Sequence, residues 1–117
     1  MARPSEIRLD RASRMLEITF DDGRCFRLPA EYLRVESPSA EVQGHSPDQR
    51  RLVAGRRHVG IVGVEAIGNY AVRLSFDDRH DTGIYSWEYL ETLGREQQER
   101  WARYERDLAA AGLSRDP

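Results

Sequence analysis

The sequence is poor in cysteine: among its 117 residues, Cys25 is the only one. A single thiol excludes an internal disulfide and any zinc finger or cluster site built from several cysteines of one chain. Long apolar runs are missing too, since no stretch approaches the roughly 20 residues of a membrane-spanning helix, and the first residues lack the apolar segment of a secretion signal. These absences predict a cytoplasmic protein without a membrane partner.

No excess of one sign of charge is present either. The 20 acidic and 18 basic residues are closely mixed and give a formal net charge of -2, so no general field would hold a polyanion. The basic residues concentrate at positions 50–51 and 56–58, where they could contact phosphates while Tyr70 or Tyr85 stacks on bases. Alternatively, these basic residues form a solvated face without a ligand, and the composition favours this second interpretation. Nucleic acid is therefore not an expected partner.

The apolar residues that are present follow the two-residue period of half-buried strands. Alternation predicts strands at residues 7–9, 16–20, 24–28 and 72–76, and a β-branched run at 59–67 predicts a central strand. His80, Thr82 and Ile84 are predicted to share one face of a further short strand. Cys25, inside a predicted strand, is either a redox-sensitive thiol or an inert packed residue, and the strand position favours packing.

Helix signals follow two of these hairpins. Pro29 suits the start of a helical turn at 30–33, and Ser86 can cap a helix whose residues 87, 90 and 93 face the sheet. A last helix at 95–111 carries Trp101, Tyr104 and Leu108 at helical spacing and stops at Gly112. Residues 36–57 predict a long surface loop, with a helical turn near 47–52.

The predicted fold is therefore α+β: a small two-layer domain of antiparallel β-hairpins with short packed helices and a C-terminal helix. The length is enough for one domain with its own core. We place that domain at residues 1–94, followed by the C-terminal helix and tail at 95–117.

Two parts of the sequence resemble each other. Residues 18–33 begin with ITFDD and end in Tyr-Leu, and residues 74–90 begin with LSFDD and end in Tyr-Leu, with one residue of slippage. Each copy predicts a strand, an acidic turn, a second strand and a helical turn. Such units share composition for physical reasons, so internal duplication and coincidence both explain the similarity.

The segments VEAIGNYAV at 64–72 and FDDRHDTGIYSWEYL at 76–90 resemble the DUF971 family, also described as the γ-butyrobetaine hydroxylase-like N-terminal domain. The resemblance covers about residues 5–94. It implies a small α+β domain that occurs alone in bacteria, ahead of the catalytic domain of carnitine-pathway dioxygenases, and attached to some Mrp-type iron–sulfur carrier ATPases.

In those dioxygenases the resemblance implies a zinc module, with a Cys-Pro-Cys-x-x-Cys loop and one histidine. The matching positions are Ser37, Ser39, Val42 and His80, so only the histidine is kept. Serine hydroxyls and a valine cannot replace thiolates at a structural zinc site. We therefore expect no cofactor, with zinc or iron at His80 as the alternative.

Other candidate interaction residues lie around His80. They are Asp78 and Asp81 on the same hairpin, His45 in the long loop, and Trp87, which with Tyr85 and Tyr89 either lines a ligand groove or packs in the core. His80 either takes part in a weak metal or anion site or fixes the loop by hydrogen bonds. No catalytic residue is predicted.

Three functions remain open. The first is a non-catalytic binding or adaptor domain that works through a protein partner or as a homo-oligomer. The second is a metal-binding accessory module in iron or iron–sulfur metabolism. The third, an enzyme using His80 and Asp78 as an acid–base pair, is less expected, because the resemblance places oxygenase chemistry in a separate catalytic domain.

Overall fold

Two antiparallel three-stranded sheets organise the computed structural model, which describes residues 3–44 and 50–117. The first sheet has the order β1-β2-β3 and the second β4-β5-β6. The strands are β1 (Pro4–Asp10), β2 (Met15–Phe20), β3 (Cys25–Pro29), β4 (Ile61–Ile67), β5 (Ala71–Phe76) and β6 (Gly83–Ser86). The helices in the described ranges are α1 (Ala30–Val35), α2 (Ala40–Gln43), α3 (Trp87–Arg95) and α4 (Gln97–Ala111). The predicted α+β fold with a C-terminal helix is confirmed.

Each sheet continues directly into a helix, α1 after β3 and α3 after β6. We call residues 15–35 the first module and residues 71–95 the second module. The inward-facing side chains of both modules meet in one buried apolar cluster, because each sheet has only one face to bury. Its members include Leu16, Ile18, Phe20, Leu28, Leu33, Val72, Leu74, Phe76, Tyr85, Leu90 and Leu93.

The two modules exchange equivalent hydrogen bonds. The hydroxyl of Tyr32 in α1 donates to the carbonyl oxygen of Leu93 in α3 at 2.7 Å, and the hydroxyl of Tyr89 in α3 donates to the carbonyl oxygen of Glu36 just after α1. Tyr32 and Tyr89 occupy matching positions of the sequence repeat, and each contacts the residue four positions beyond the other. Each module therefore satisfies carbonyl groups at the end of the other module's helix.

Helix ends follow the sequence signals. The Ser86 hydroxyl accepts a hydrogen bond from the Tyr89 backbone N–H at 3.1 Å, as predicted for the cap of α3. Gly112 ends α4 in the left-handed conformation, with φ of 67°. In α4, Tyr104 and Leu108 are buried against the domain. None of the helices in the described ranges has the length and apolar composition needed to cross a membrane.

Two strand predictions are wrong. β4 lies at the edge of its sheet, not at the centre, and Val62 and Val64 are exposed. His80, Thr82 and Ile84 do not share a strand face, since β6 begins only at Gly83; His80 is buried, whereas Ile84 is 46% exposed. A loop from Asp77 to Thr82, with Arg79 at a φ of 72°, separates the strands and interrupts the alternation.

The long loop also differs from its prediction. Its first part is not a surface loop, because Ser37, Ser39 and Val42 are buried and α2 forms there. Residues 50–52 are not helical, and the rest of the predicted turn at 47–52 lies outside the described residues. The expectation that Cys25 is a packed residue is wrong: Cys25 lies in β3 but is exposed, since the outward face of this strand is not covered.

Candidate functional site

A buried polar corner lies where the chain leaving α1 meets the loop between β5 and β6. We call Ser37, Ser39, Glu41, His80 and Thr82 the polar corner. Ser37 has no exposed surface, His80 is 4% exposed and Ser39 is 6% exposed. Gly83 allows this close approach, because a β-carbon there would lie 2.7 Å from the Ser37 hydroxyl oxygen. The corner thus joins residues about 40 positions apart in the sequence.

Both ring nitrogens of His80 have partners. Nε2 lies 2.8 Å from Ser37 Oγ, and Nδ1 lies 3.0 Å from Glu41 Oε2. Because a carboxylate only accepts, Nδ1 carries the proton, and the Ser37 hydroxyl donates to Nε2. Burial, together with the nearby positive charge of Arg34, holds the pKa of His80 below its ordinary value, although Glu41 opposes this. His80 is therefore a neutral imidazole at neutral pH.

The remaining groups of the polar corner are also hydrogen-bonded within it. Ser39 Oγ lies 2.6 Å from Thr82 Oγ1 and accepts a hydrogen bond from the Glu41 backbone N–H at 3.2 Å, which caps α2. The Gln43 side chain donates to the carbonyl oxygen of Ser37 at 2.7 Å. These bonds satisfy the polar groups of the segment after α1, which explains why it can be buried rather than form a surface loop.

Three of the four positions that the resemblance assigns to zinc, Ser37, Ser39 and His80, lie in the polar corner, and the fourth, Val42, is buried in α2. Their chemistry does not fit the metal. Val42 has no donor atom, and Ser37 already donates to the nitrogen of His80 that a zinc ligand would use. Zinc at structural sites is held by thiolates and imidazoles. Within the described ranges, no group of three or more His, Cys, Asp or Glu residues is placed to hold a metal ion.

Asp78 lies beside the polar corner but does not contact the imidazole ring. Its Oδ2 accepts from Arg34 Nε at 2.8 Å and from Arg56 Nε at 2.7 Å, and its Oδ1 accepts from the His80 backbone N–H at 3.2 Å. Burial raises the pKa of Asp78, but the hydrogen bonds from Arg34 and the His80 backbone outweigh it and lower the pKa overall. Asp78 therefore anchors two arginines and the turn.

The other candidate residues lie apart from this arrangement. Asp81 is exposed on the loop, and Trp87 is partly buried against the core, with its Nε1 donating to the carbonyl oxygen of Asn69 at 2.7 Å. Tyr85 is buried in the core and donates to the carbonyl oxygen of Leu33, so it does not line an open groove. His45 lies outside the described residues.

A cavity of about 290 Å³ opens next to the polar corner. We call it the arginine cavity, because Arg34, Arg51 and Arg56 line it together with His80 and Glu41. Its remaining described lining consists of Val42, Leu52, Val53 and Ala54. Arg34 is 8% exposed, and its Nη1 is buried without a hydrogen-bond partner among the described residues. The described lining can therefore bind a ligand, and it contains no serine, threonine, cysteine or lysine side chain.

The predicted basic concentration is mostly ion-paired rather than simply solvated. Arg50 pairs with Glu36 at 3.1 Å, Arg56 pairs with Asp78, and Arg57 pairs with Asp116. The sequence has no lysine, so all 18 basic residues are arginines. The carboxylates that neutralise them come from distant parts of the chain, which local sequence patterns do not show.

Sequence analysis missed Glu41 and Arg34, and it placed Arg56 only in a basic concentration, without its partner Asp78. Arg34 carried the clearest available signal, since it lies among apolar residues in the short helix α1, where a charged side chain needs a partner. Glu41 carried only the weak signal of an acidic residue in the first turn of a helix. Nothing in the local pattern around Arg56 indicated its partner.

Comparison with known proteins agrees with the resemblance seen in the sequence. The family model described as gamma-butyrobetaine hydroxylase-like, N-terminal, matches residues 7–91. No curated protein matches the sequence.

Three solved structures are similar to the chain. One solution NMR structure is 50% identical, with a TM-score of 0.87 and coverage of 100% of this chain and 92% of the other. A second is 47% identical, with a TM-score of 0.86 and coverage of 100% and 87%. A crystal structure from Acidithiobacillus ferrooxidans ATCC 23270, of a DUF971 protein with unknown function, is 43% identical, with a TM-score of 0.67 and coverage of 79% and 92%.

The match over residues 7–91 includes the first module, the second module as far as residue 91, and the whole polar corner. The chain therefore belongs to the γ-butyrobetaine hydroxylase-like N-terminal domain family, also called DUF971.

Proposed function

We propose that this protein is a non-catalytic binding domain that works through a protein partner. The polar corner has a structural role: it holds the segment after α1 against the loop between β5 and β6. The observation that carries this proposal is the closed hydrogen bonding of His80, whose two ring nitrogens are taken by Ser37 and Glu41. A general base or a metal ligand needs a free lone pair directed at its target. His80 has no such lone pair to offer.

The order Ser37, His80, Glu41 matches the connectivity of a serine hydrolase triad, and three features argue against that activity. The Ser37 hydroxyl has no exposed surface. Gly83 packs so closely that a substrate carbonyl has no room beside it. The Glu41 side chain is 60% exposed, whereas the orienting acid of a triad is buried. An ester hydrolysis assay that compares the wild type with Ser37→Ala tests this, and a rate lost only in the variant would contradict the proposal.

The acid–base pair of His80 and Asp78 receives no support either. Asp78 bonds the backbone of His80 and two arginines rather than the imidazole. A pair that exchanges protons must lie within hydrogen-bond reach of the same reacting group.

We further propose that the domain works without a bound metal. The four positions that the family pattern gives to zinc hold one imidazole, two hydroxyls and an isopropyl group here. Elemental analysis of protein purified without an affinity tag checks this, and zinc and iron are each expected far below one equivalent per chain. One equivalent that dialysis does not remove would overturn the proposal.

A partner surface is best supported on the second sheet. Ile84 is exposed on the face of this sheet that points away from the core, Tyr70 is exposed on the β4–β5 turn, and Val62 and Val64 are exposed along the edge strand β4. Single exposed apolar residues are common, but several on one small sheet favour a contact surface there. β4 also ends the sheet, so this edge can meet another polypeptide.

The experiment is capture of partners from native extract by the immobilised protein, compared between two matched variants. Ile84→Thr removes apolar surface from the second sheet and keeps a β-branched residue in the strand. Leu113→Thr is the control, because Leu113 is equally exposed, at 47% against 46%, but lies after α4. Ile84→Thr is expected to reduce capture while Leu113→Thr leaves it unchanged. Equal capture by both variants would contradict the surface, and light scattering distinguishes a second copy of the chain from another protein.

A further inference from the structure

We propose that the arginine cavity binds a small oxyanion, a phosphate or carboxylate group, on the guanidinium groups of Arg34, Arg51 and Arg56. This site is separate from the apolar partner surface on the second sheet. It also does not depend on the polar corner being catalytic or metallated.

The unsatisfied nitrogen of Arg34 is the first observation. Its side chain is 10% exposed, and its Nη1 has no hydrogen-bond partner among the described residues, although Nε of the same guanidinium donates to Asp78. Buried donors in folded proteins are nearly always paired, and a charged donor left without an acceptor is costly. An acceptor supplied from outside the chain resolves this, and Arg34 lines the cavity from which it would come.

The balance of charge in the cavity is the second observation. One carboxylate oxygen, Oδ2 of Asp78, serves both Arg34 and Arg56. Arg51 lies on the same cavity, and no carboxylate of residues 3–44 or 50–117 is within ion-pair distance of it. Three guanidinium groups therefore share one close carboxylate, which leaves positive charge for a bound anion.

Glu41 is the one acidic residue in the described lining, and it limits where the anion sits. Its Oε2 is bonded to Nδ1 of His80, on the polar-corner side of the cavity. His80 itself is neutral and presents no charge to the ligand. The anion is therefore placed on the side formed by Arg34, Arg51 and Arg56, away from Glu41.

The chemistry of the lining selects the class of ligand. Guanidinium groups match the planar geometry of carboxylates and the oxygens of phosphates, and they bind both by charge-assisted hydrogen bonds. A volume of about 290 Å³ lies near the lower end of small-molecule pockets, about 300 Å³. The cavity therefore has room for an oxyanion with a small organic group attached to it.

The test is a titration of the whole protein with inorganic phosphate and, separately, with acetate, each at constant ionic strength made up with potassium chloride. Arginine side-chain N–H signals in nitrogen-edited NMR spectra provide a local readout. We expect saturable shifts of the Arg34 and Arg56 Nε–H signals. Saturation by phosphate alone identifies a phosphate ligand, saturation by acetate alone identifies a carboxylate ligand, and saturation by both identifies the shared oxyanion chemistry.

Two variants assign the binding to the cavity. Arg51→Gln removes a guanidinium that no described carboxylate pairs with, so the fold is kept, and it should weaken binding about tenfold. Arg106→Gln is the control, since Arg106 is exposed on α4 and does not line the cavity. Its affinity should equal that of the wild type. The proposal is overturned if neither anion gives saturable shifts, which would leave ordered water as the partner of Arg34, or if the two variants weaken binding equally.

Discussion

The hydrogen bond between Ser37 and His80 should contribute to stability, and a double-mutant cycle measures how much. His80→Ala removes both ring hydrogen bonds, the packing of the ring against Phe76 at a centroid distance of 6.0 Å, and the acceptor of the Ser37 hydroxyl. A buried polar group left without a partner costs about 1–3 kcal/mol, and the cavity adds to this. We expect a loss of about 2–4 kcal/mol in the free energy of unfolding.

Ser37→Ala leaves Nε2 of His80 unsatisfied and should cost about 1–2 kcal/mol. The double variant should lose less than the sum of the single losses, by a coupling of about 1–2 kcal/mol, because the second change removes a group whose partner has already gone. Glu41→Gln is the control. Its side chain is 60% exposed and glutamine keeps a carbonyl acceptor, so the change should stay within about 0.5 kcal/mol.

Urea unfolding followed by the fluorescence of Trp87 and Trp101 gives these free energies, provided that the slope of the transition is unchanged. Losses that add fully, within about 0.3–0.5 kcal/mol, would show that the two side chains act independently. A loss below about 0.5 kcal/mol for His80→Ala would mean that the polar corner does not hold the loop. Either result would refute the structural role of the polar corner.

Three further predictions concern the same region. The pKa of His80 is lower in the folded protein than its unfolded value of about 6.5, so the unfolded chain takes up the proton first as the pH falls. Stability should therefore be constant above about pH 6.5 and fall below it. The fall should be smaller in His80→Gln, as urea unfolding at pH 7.5 and 5.5 will show. Asp78→Asn should cost about 1–3 kcal/mol by leaving Arg34 and Arg56 without their carboxylate, and unfolding that matches the wild type would contradict those ion pairs. Gly83→Ala should lower the melting temperature, because its β-carbon would lie 2.7 Å from Ser37 Oγ, whereas Gly63→Ala, whose nearest contact is 3.6 Å, should not; equal melting temperatures would contradict the close packing.

Local sequence signals predicted most of the fold because they depend on neighbours in the chain. The alternation in β2 and β5, the serine cap of α3 and the glycine end of α4 each follow from contacts within a few residues. The position of β4 in its sheet could not be predicted in this way. A β-branched run indicates a strand but does not say whether a second neighbour pairs with it.

The candidate site was predictable only in part. The resemblance brought Ser37, Ser39, Val42 and His80 together, whereas composition and periodicity did not. The ion pairs of Asp78 join residues 44 and 22 positions away, and no periodic pattern records contacts over such distances. The cavity beside them is a product of those contacts, so it became visible only in the three-dimensional arrangement.

The crossed hydrogen bonds of Tyr32 and Tyr89 tie the unfolding of one half of the molecule to the other. If either half loosens, the opposite helix loses a capped carbonyl and its share of the common interior. Neither half is then stable when the other half is unfolded. The chain should consequently melt in a single step, and a fragment that contains only one of the halves should fail to fold.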